Sequence, residues 1–253
     1  MTWKPTPEEG LASAKAEVAA KPDSTTFTAD GSKKAKARIV LLGYEHPDLL
    51  TEAHKTSSPV QAVLTRNLSY QLVMQMGWNI EGIDMSTAFL QTLPSEEEKK
   101  LWTSDVKELR DALQIPAGGV LRILKNFYGS TTAPRNLWEN INATMTELKA
   151  LRIKGDKCFW LWTEVVDGNT VPLGFMAGHV DDFHRAGNQN SPQWQEIKRS
   201  IDTRYRWGTA KLNSYRHAGT DLEIAEDPAH GRCLVVDQSL YIETLQDVPF
   251  LPR

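Results

Sequence analysis

Apolar positions recur at helical spacing in three stretches of the chain and at strand-like spacing between them. From about Pro59 to Met76, Val60, Val63 and Leu64 are followed by Leu68, Leu72 and Met76, which predicts a helix buried on that face and stopped by Gly77. After Thr132, a residue suited to capping, Pro134 falls in a tolerated first-turn position and Leu137, Ile141, Met145 and Leu148 form one face of a second helix. Gln193 to Tyr205 reads as a basic amphipathic helix, and a last helix is expected from Ser239. The alanine-rich stretch Leu11 to Ala20 predicts a short helix, followed by KPDSTTFTADG, which is turn and coil chemistry. Residues 1–31 therefore read as a flexible leader.

The strand signals are shorter. KKAKARIVLLGYEHP places Lys33, Lys34, Lys36 and Arg38 ahead of the apolar run Ile39 to Leu42. Trp78 to Asp84 and Gly118 to Gly129 have strand composition, and the charge run EEEKK at 96–100 reads as a solvated loop or helix start. Cys158 to Val166 and Val171 to Val180 flank DGN at 167–169, a hairpin turn, and Phe183 to Arg185 can return as a further partner. Leu222 to Ile224 and Leu234 to Val236 complete the set, with no internal repeat.

Charge and cysteine usage narrow the classes. The 253 residues carry a formal net charge of −3 with a pI near 6.1, which excludes a simple basic nucleic-acid coat and leaves room only for a local basic patch. Two cysteines, Cys158 and Cys233, supply neither a disulfide framework nor a zinc ribbon. No apolar run reaches the roughly 18 residues of a membrane span and the first residues lack a signal-peptide core, so a soluble, intracellular protein without a membrane partner is expected, cytoplasmic or nuclear.

Carboxylates gather where strands end. Asp84 closes one apolar strand, and Asp181 and Asp182 sit where another turns back in GFMAGHVDDFH. Grouped acids repel and raise one another's pKa unless a cation intervenes, and Mg²⁺ favours one or two carboxylates plus phosphate oxygens. Taken alone the spacing is a weak signal, and ordinary turn chemistry is the commoner explanation of the same residues.

The surrounding blocks decide between these readings. IDMSTAFLQ resembles the Asp-x-x-Thr-Ala-Phe-Leu motif of reverse transcriptases of copia (pseudovirus) type LTR retrotransposons. KARIVLLGYEHP, SPVQAVLTRNL, NFYGSTTAPRNLW, GHVDDF, DKCFW, GTDLEI and DQSLYIETL resemble further blocks of that family, in its order, between about Lys33 and Leu245.

The resemblance implies an α+β fold: a polymerase palm, an antiparallel sheet with helices on one face, plus fingers, with the thumb truncated or absent. It divides the chain into fingers at 32–78 and 95–127, palm at 79–94 and 128–225, and a shortened extension at 226–253. It implies RNA-directed DNA polymerisation, with dNTP, an RNA or DNA template and a DNA primer as partners, and other polyprotein domains of the element if the chain is part of a longer one. Two Mg²⁺ ions, or Mn²⁺, would be held by Asp84 and Asp181, with Asp182 as a supporting acid. Lys36 and Arg38 would grip the triphosphate, Phe89 would gate the sugar, and Arg135 would meet template or phosphate. Phe89 as a core aromatic, Lys36 and Arg38 as a solvated strand edge, and Arg135 as a surface residue are the competing readings.

Departures from the family pattern favour a second reading, an inactive remnant that at most binds RNA or a protein. Thr132 stands where the family has Gln to seat the nucleotide. His179 stands where Tyr packs under the primer terminus, and Arg66-Asn67 is displaced by one residue. After Leu245 the sequence leaves no room for a full thumb, so an excised or decayed core is expected.

Overall fold

The computed structural model describes residues 13–14, 16–21, 36–43, 58–94, 102–104, 107–116 and 119–245. In chain order its first elements are β1 (Ser13–Ala14), β2 (Ala16–Lys21), β3 (Lys36–Leu41), α1 (Val63–Met76) and β4 (Ile80–Asp84), then a 3₁₀ turn at Ala88–Gln91. There follow β5 (Trp102–Ser104), α2 (Lys107–Leu113), β6 (Val120–Arg122), α3 (Ala133–Glu147), β7 (Leu151–Ile153), β8 (Asp156–Val166), β9 (Asn169–His179) and β10 (Asp182–Gly187). The last are α4 (Pro192–Arg204), β11 (Lys211–Leu212), β12 (Ser214–His217), β13 (Thr220–Asp227), β14 (Gly231–Asp237) and α5 (Ser239–Glu243). These elements form two units, one from Met1–Ser58 and Thr87–Ile141, the other from Pro59–Ser86 and Asn142–Arg253. Among the described residues no helix is long and apolar enough to cross a membrane.

In the first unit, β1, β5 and β6 form a three-stranded sheet and β2 pairs antiparallel with β3, Ala16 opposite Leu41 through Lys21 opposite Lys36. The described part of the alanine-rich segment thus lies in β1 and β2, not in the expected helix. Alanine's helical advantage is only a few tenths of a kcal/mol per residue and a ten-residue helix is marginal by itself, whereas the edge of β3 offers a full ladder of hydrogen bonds. Buried Asn126 ties this unit together: its amide donates to Thr92 Oγ1 at 2.6 Å and to the Leu93 carbonyl at 2.9 Å, and its Oδ1 accepts from Asn136 at 2.9 Å. The strand expected over 118–129 shrinks to β6, and the charge run at 96–100 lies outside the described residues.

The second unit is built on a six-stranded sheet of order β11-β4-β10-β9-β8-β7, antiparallel at every pairing. The β8–β9 turn has φ of 50° at Asp167 and 77° at Gly168, the doubly positive pattern that matches strand twist and suits an Asp-Gly pair. Ile80, Tyr70, Val73, Phe159, Phe175, Ala177, Tyr215 and Leu222 share a core on one face of this sheet, and β12, β13 and β14 form a smaller antiparallel sheet.

Helix α1 corrects the apolar pattern. Its buried residues are Thr65, Ser69, Tyr70 and Val73, while Val60, Val63, Leu64, Leu68 and Met76 are exposed. The buried hydroxyls of Thr65 and Ser69 are accepted because both have partners. Thr65 Oγ1 donates to the Asp156 carboxylate, Asp156 also accepts from the Ala62 N–H at 2.8 Å and the Cys158 N–H at 2.7 Å, and Ser69 donates to the Arg66 carbonyl at 2.6 Å. Periodicity of apolar residues cannot detect a face held by hydrogen bonds.

On the other face of the sheet Arg185, 4% exposed, stands opposite Glu81 in the β4–β10 register. Its Nε donates to Glu81 at 3.0 Å and its two Nη atoms to Asp202 of α4 at 2.6 and 3.1 Å, while Lys198 pairs with the second Glu81 oxygen. Burial alone would raise the Glu81 pKa; Lys198 and Arg185 override it and hold the carboxyl below its usual value.

Several strand positions are glycine because an aromatic ring lies against the backbone. Gly174 and Gly187 are opposite each other, and a Cβ on either would come within 2.5 Å of the Trp194 ring. Gly174→Ala should therefore cost about 1–3 kcal/mol by overpacking, read as a lower urea midpoint with an unchanged slope.

Candidate active site

The two acidic motifs meet because β10 returns alongside β4. Asp84 and Asp182, 98 residues apart in sequence, are register partners at the ends of these strands. Directly opposite residues point to the same face, with Cβ atoms about 4.5–5.5 Å apart in such pairs. Asp181 occupies the β9–β10 turn, and its carbonyl accepts from the Met85 N–H at 2.8 Å. On the far side of β4 the Asp84 carbonyl accepts from the Gly208 N–H at 2.7 Å, Ser86 N–H donates to the Arg206 carbonyl at 3.0 Å, and Met85 bridges to Trp207. The backbone of Asp84 is thus fixed from both sides although its side chain is exposed.

The turn that carries Asp181 is strained. Its two residues are Val180 and Asp181, and Val180 has φ of +65°. A two-residue hairpin turn with positive φ at its first position is normally built with glycine, and a β-branched residue there is an outlier costing about 1–3 kcal/mol. The surrounding ladder holds it: His179 pairs with Asp182 and Phe183 with both Gly178 and Ile83.

Both oxygens of Asp182 have close polar neighbours. One oxygen accepts from the Ala218 N–H at 2.9 Å, in the β12–β13 turn, and the other lies 3.3 Å from Nδ1 of His217. His217 and His184 are both fully buried and stack with ring centroids 4.3 Å apart. Gln61 bridges their Nε2 atoms at 3.1 Å each, and the Tyr215 hydroxyl lies 3.4 Å from His184 Nδ1. Burial, then His217 and Arg66, hold His184 far below its usual pKa. Burial, partly opposed by Arg66 and aided by Asp182, pushes the Tyr70 phenol up to about 12. Sequence reading missed Gln61, Tyr215 and His217. The one trace was His184, two residues past Asp182 and so on the same strand face; nothing local marks His217, whose partners are 35 and 156 residues distant.

The remaining residues singled out by resemblance lie as follows. His179 ends β9 and is half-buried. In the first unit Phe89 is half-buried on the 3₁₀ turn and meets Tyr128 edge-on, centroids 5.2 Å apart. Thr132 is buried immediately before α3, where its hydroxyl accepts from the Asn136 side chain at 3.3 Å. Arg135 pairs with Glu139 at 2.7 Å and lies over the Trp138 ring. Lys36 and Arg38 belong to β3 by backbone, with side chains outside the described residues.

Among the described residues no group of three His, Cys, Asp or Glu side chains stands at the spacing of a preassembled metal cage. The acids at the strand ends suit a different kind of cation site. Mg²⁺ is commonly held by one or two carboxylates and completed by water and substrate phosphates, and Asp84 with Asp181 can supply that number.

No protein-family model matches the chain. Among solved structures it is similar to apo telomerase from Candida tropicalis truncated from its C-terminal domain, at 11% identity and a TM-score of 0.43, covering 88% of this chain and 55% of that one. It is also similar to telomerase from Candida albicans solved with the TWJ fragment of telomeric RNA, at 10% identity and a TM-score of 0.42, covering 86% of this chain and 45% of that one. The chain thus spans about half the length of each of these telomerases.

Proposed function

We propose that this chain is the core of an RNA-directed DNA polymerase of the copia type, transferring a deoxynucleotide from dNTP to a primer 3′-hydroxyl on an RNA or DNA template with release of pyrophosphate. The observation that supports it best is the β4–β10 register, which pairs Asp84 of IDMSTAFLQ with Asp182 of GHVDDF. In this reading Asp84 and Asp181 would hold Mg²⁺ or Mn²⁺, and the bound ions would supply charge neutralisation on the phosphates. The chain's own contribution is rigidity: Asp84 is clamped by backbone bonds on both sides, and Asp181 rides a turn whose geometry the ladder enforces. By the sequence resemblance alone, His179 would pack under the primer terminus, Lys36, Arg38, Phe89 and Thr132 would serve the nucleotide, and Arg135 would meet template or phosphate.

A second reading, a remnant without activity, draws support from Asp182, whose two oxygens face His217 and the Ala218 N–H. Primer extension on an RNA template with Mg²⁺ separates the two. dNTP-dependent lengthening of the primer is expected; no product with either Mg²⁺ or Mn²⁺ would favour the remnant.

A further inference from the structure

The buried groups beneath Asp182 obey a constraint that fixes their protons. A primary amide has one donating and one accepting end, so a glutamine that bridges two imidazole Nε2 atoms requires one of them to carry hydrogen and the other to be bare. With Gln61 Nε2 toward His184 and Oε1 toward His217, the hydrogen sits on His217 Nε2. Neutral His217 would then turn the bare lone pair of Nδ1 toward the Asp182 carboxylate, which only accepts. That Nδ1 lies 3.3 Å from Asp182 Oδ1 but outside hydrogen-bond geometry. Turning the amide over, which exchanges two nearly indistinguishable atoms, gives each group a complementary role. The Tyr215 hydroxyl then donates to His184 Nδ1, His184 Nε2–H to Gln61 Oε1 and Gln61 Nε2–H to His217 Nε2, which leaves the hydrogen on His217 Nδ1, 3.3 Å from Asp182 Oδ1 as a polar contact rather than a hydrogen bond.

We infer that Tyr215, His184, Gln61 and His217 form a hydrogen-bonded chain with a single direction of donation, and that His217 is the positioning residue that keeps Asp182 turned to the β12–β13 turn. The geometry suits this role. His217 is fully buried while Asp182 is one-third exposed, so the rigid partner holds the mobile one, and the Ala218 N–H holds the second oxygen at 2.9 Å. The cis-facing pair Asp84 and Asp182 would otherwise present two full carboxylates to each other across adjacent strands. By anchoring Asp182, His217 leaves Asp84 and Asp181 as the acids available to substrate. This last consequence rests on the polymerase reading above; the hydrogen-bonded chain does not.

The test has two arms. In the whole protein labelled with ¹⁵N-histidine, long-range ¹H–¹⁵N correlations should show His217 as the Nδ1–H tautomer and His184 as the Nε2–H tautomer, each assigned by its loss in a single variant. The reverse tautomers, or rapidly averaged ones, would overturn the chain whatever the enzyme does. In primer extension, His217→Leu should lower kcat about tenfold with little change in the KM for dNTP. His217→Asn, whose amide nitrogen can replace Nδ1, should restore most of that loss although it too removes the ring. Equal loss in both variants would make His217 a packing residue and overturn its positioning role. If wild-type protein extends no primer, the polymerase reading fails while the tautomers still judge the chain.

Discussion

Asp84→Asn is expected to lower the rate of primer extension by about a thousandfold or more while leaving the fold as stable as before or slightly more so. Charge stabilisation by a metal held on a carboxylate is worth several kcal/mol, and each 1.4 kcal/mol or so is a factor of about ten in rate. The charge also carries a cost within the sheet. Asp84 is exposed and lies opposite Asp182, and like charges directly across a sheet destabilise it by a few tenths of a kcal/mol to about 1 kcal/mol. The opposed signs make the pair of measurements decisive. Single-turnover extension and urea unfolding should move in different directions, and a variant that lost stability along with activity would mark Asp84 as structural.

Arg185→Met should be the most damaging single change to the fold. Removing one member of a buried ionic group costs about 3–5 kcal/mol because the partners stay desolvated; Asp202 is 40% exposed, so its share is screened and the lower part of that range applies. The loss should depend on pH in a definite sense. Because Glu81 is held below its ordinary pKa, its contribution is complete above the unfolded carboxyl value and fades as the pH falls through the folded one. The difference in stability between wild type and variant should therefore be largest near neutrality and shrink in acid. A difference that grew toward low pH would assign the role of Arg185 to something other than its acidic partners.

How far the sequence could be read depended on whether the deciding partner was near or far along the chain. Helix α3, the β8–β9 turn at Asp167-Gly168 and the short return strand β10 are written in local chemistry, a cap or turn residue followed by a periodic run, and all three formed within a few residues of expectation. Helix α4 starts at Pro192 because Ser191 accepts from the Trp194 N–H, again a local device. Leu11 to Ala20 failed because its backbone partner, β3, begins beyond it at Lys36. The face of α1 failed because Thr65 is buried on account of Asp156, 91 residues on. The candidate site divides in the same way. Asp84, Asp181 and Asp182 announce themselves in short motifs, whereas Gln61, Tyr215 and His217 matter only through contacts that no neighbouring residue foreshadows.

The position of β4 also sets an order of events. Both of its ladder neighbours, β10 and β11, lie far downstream, the nearer beginning at Asp182. A ribosome adding about 5–20 residues per second needs on the order of 5–20 s to pass from Asp84 to Asp182. Throughout that interval β4 has made Ile80 and Ile83 but has nothing to pair them with. The acidic centre consequently cannot assemble until Asp182 has been made, and until then the chain carries an open strand edge that chaperones or neighbouring copies can reach.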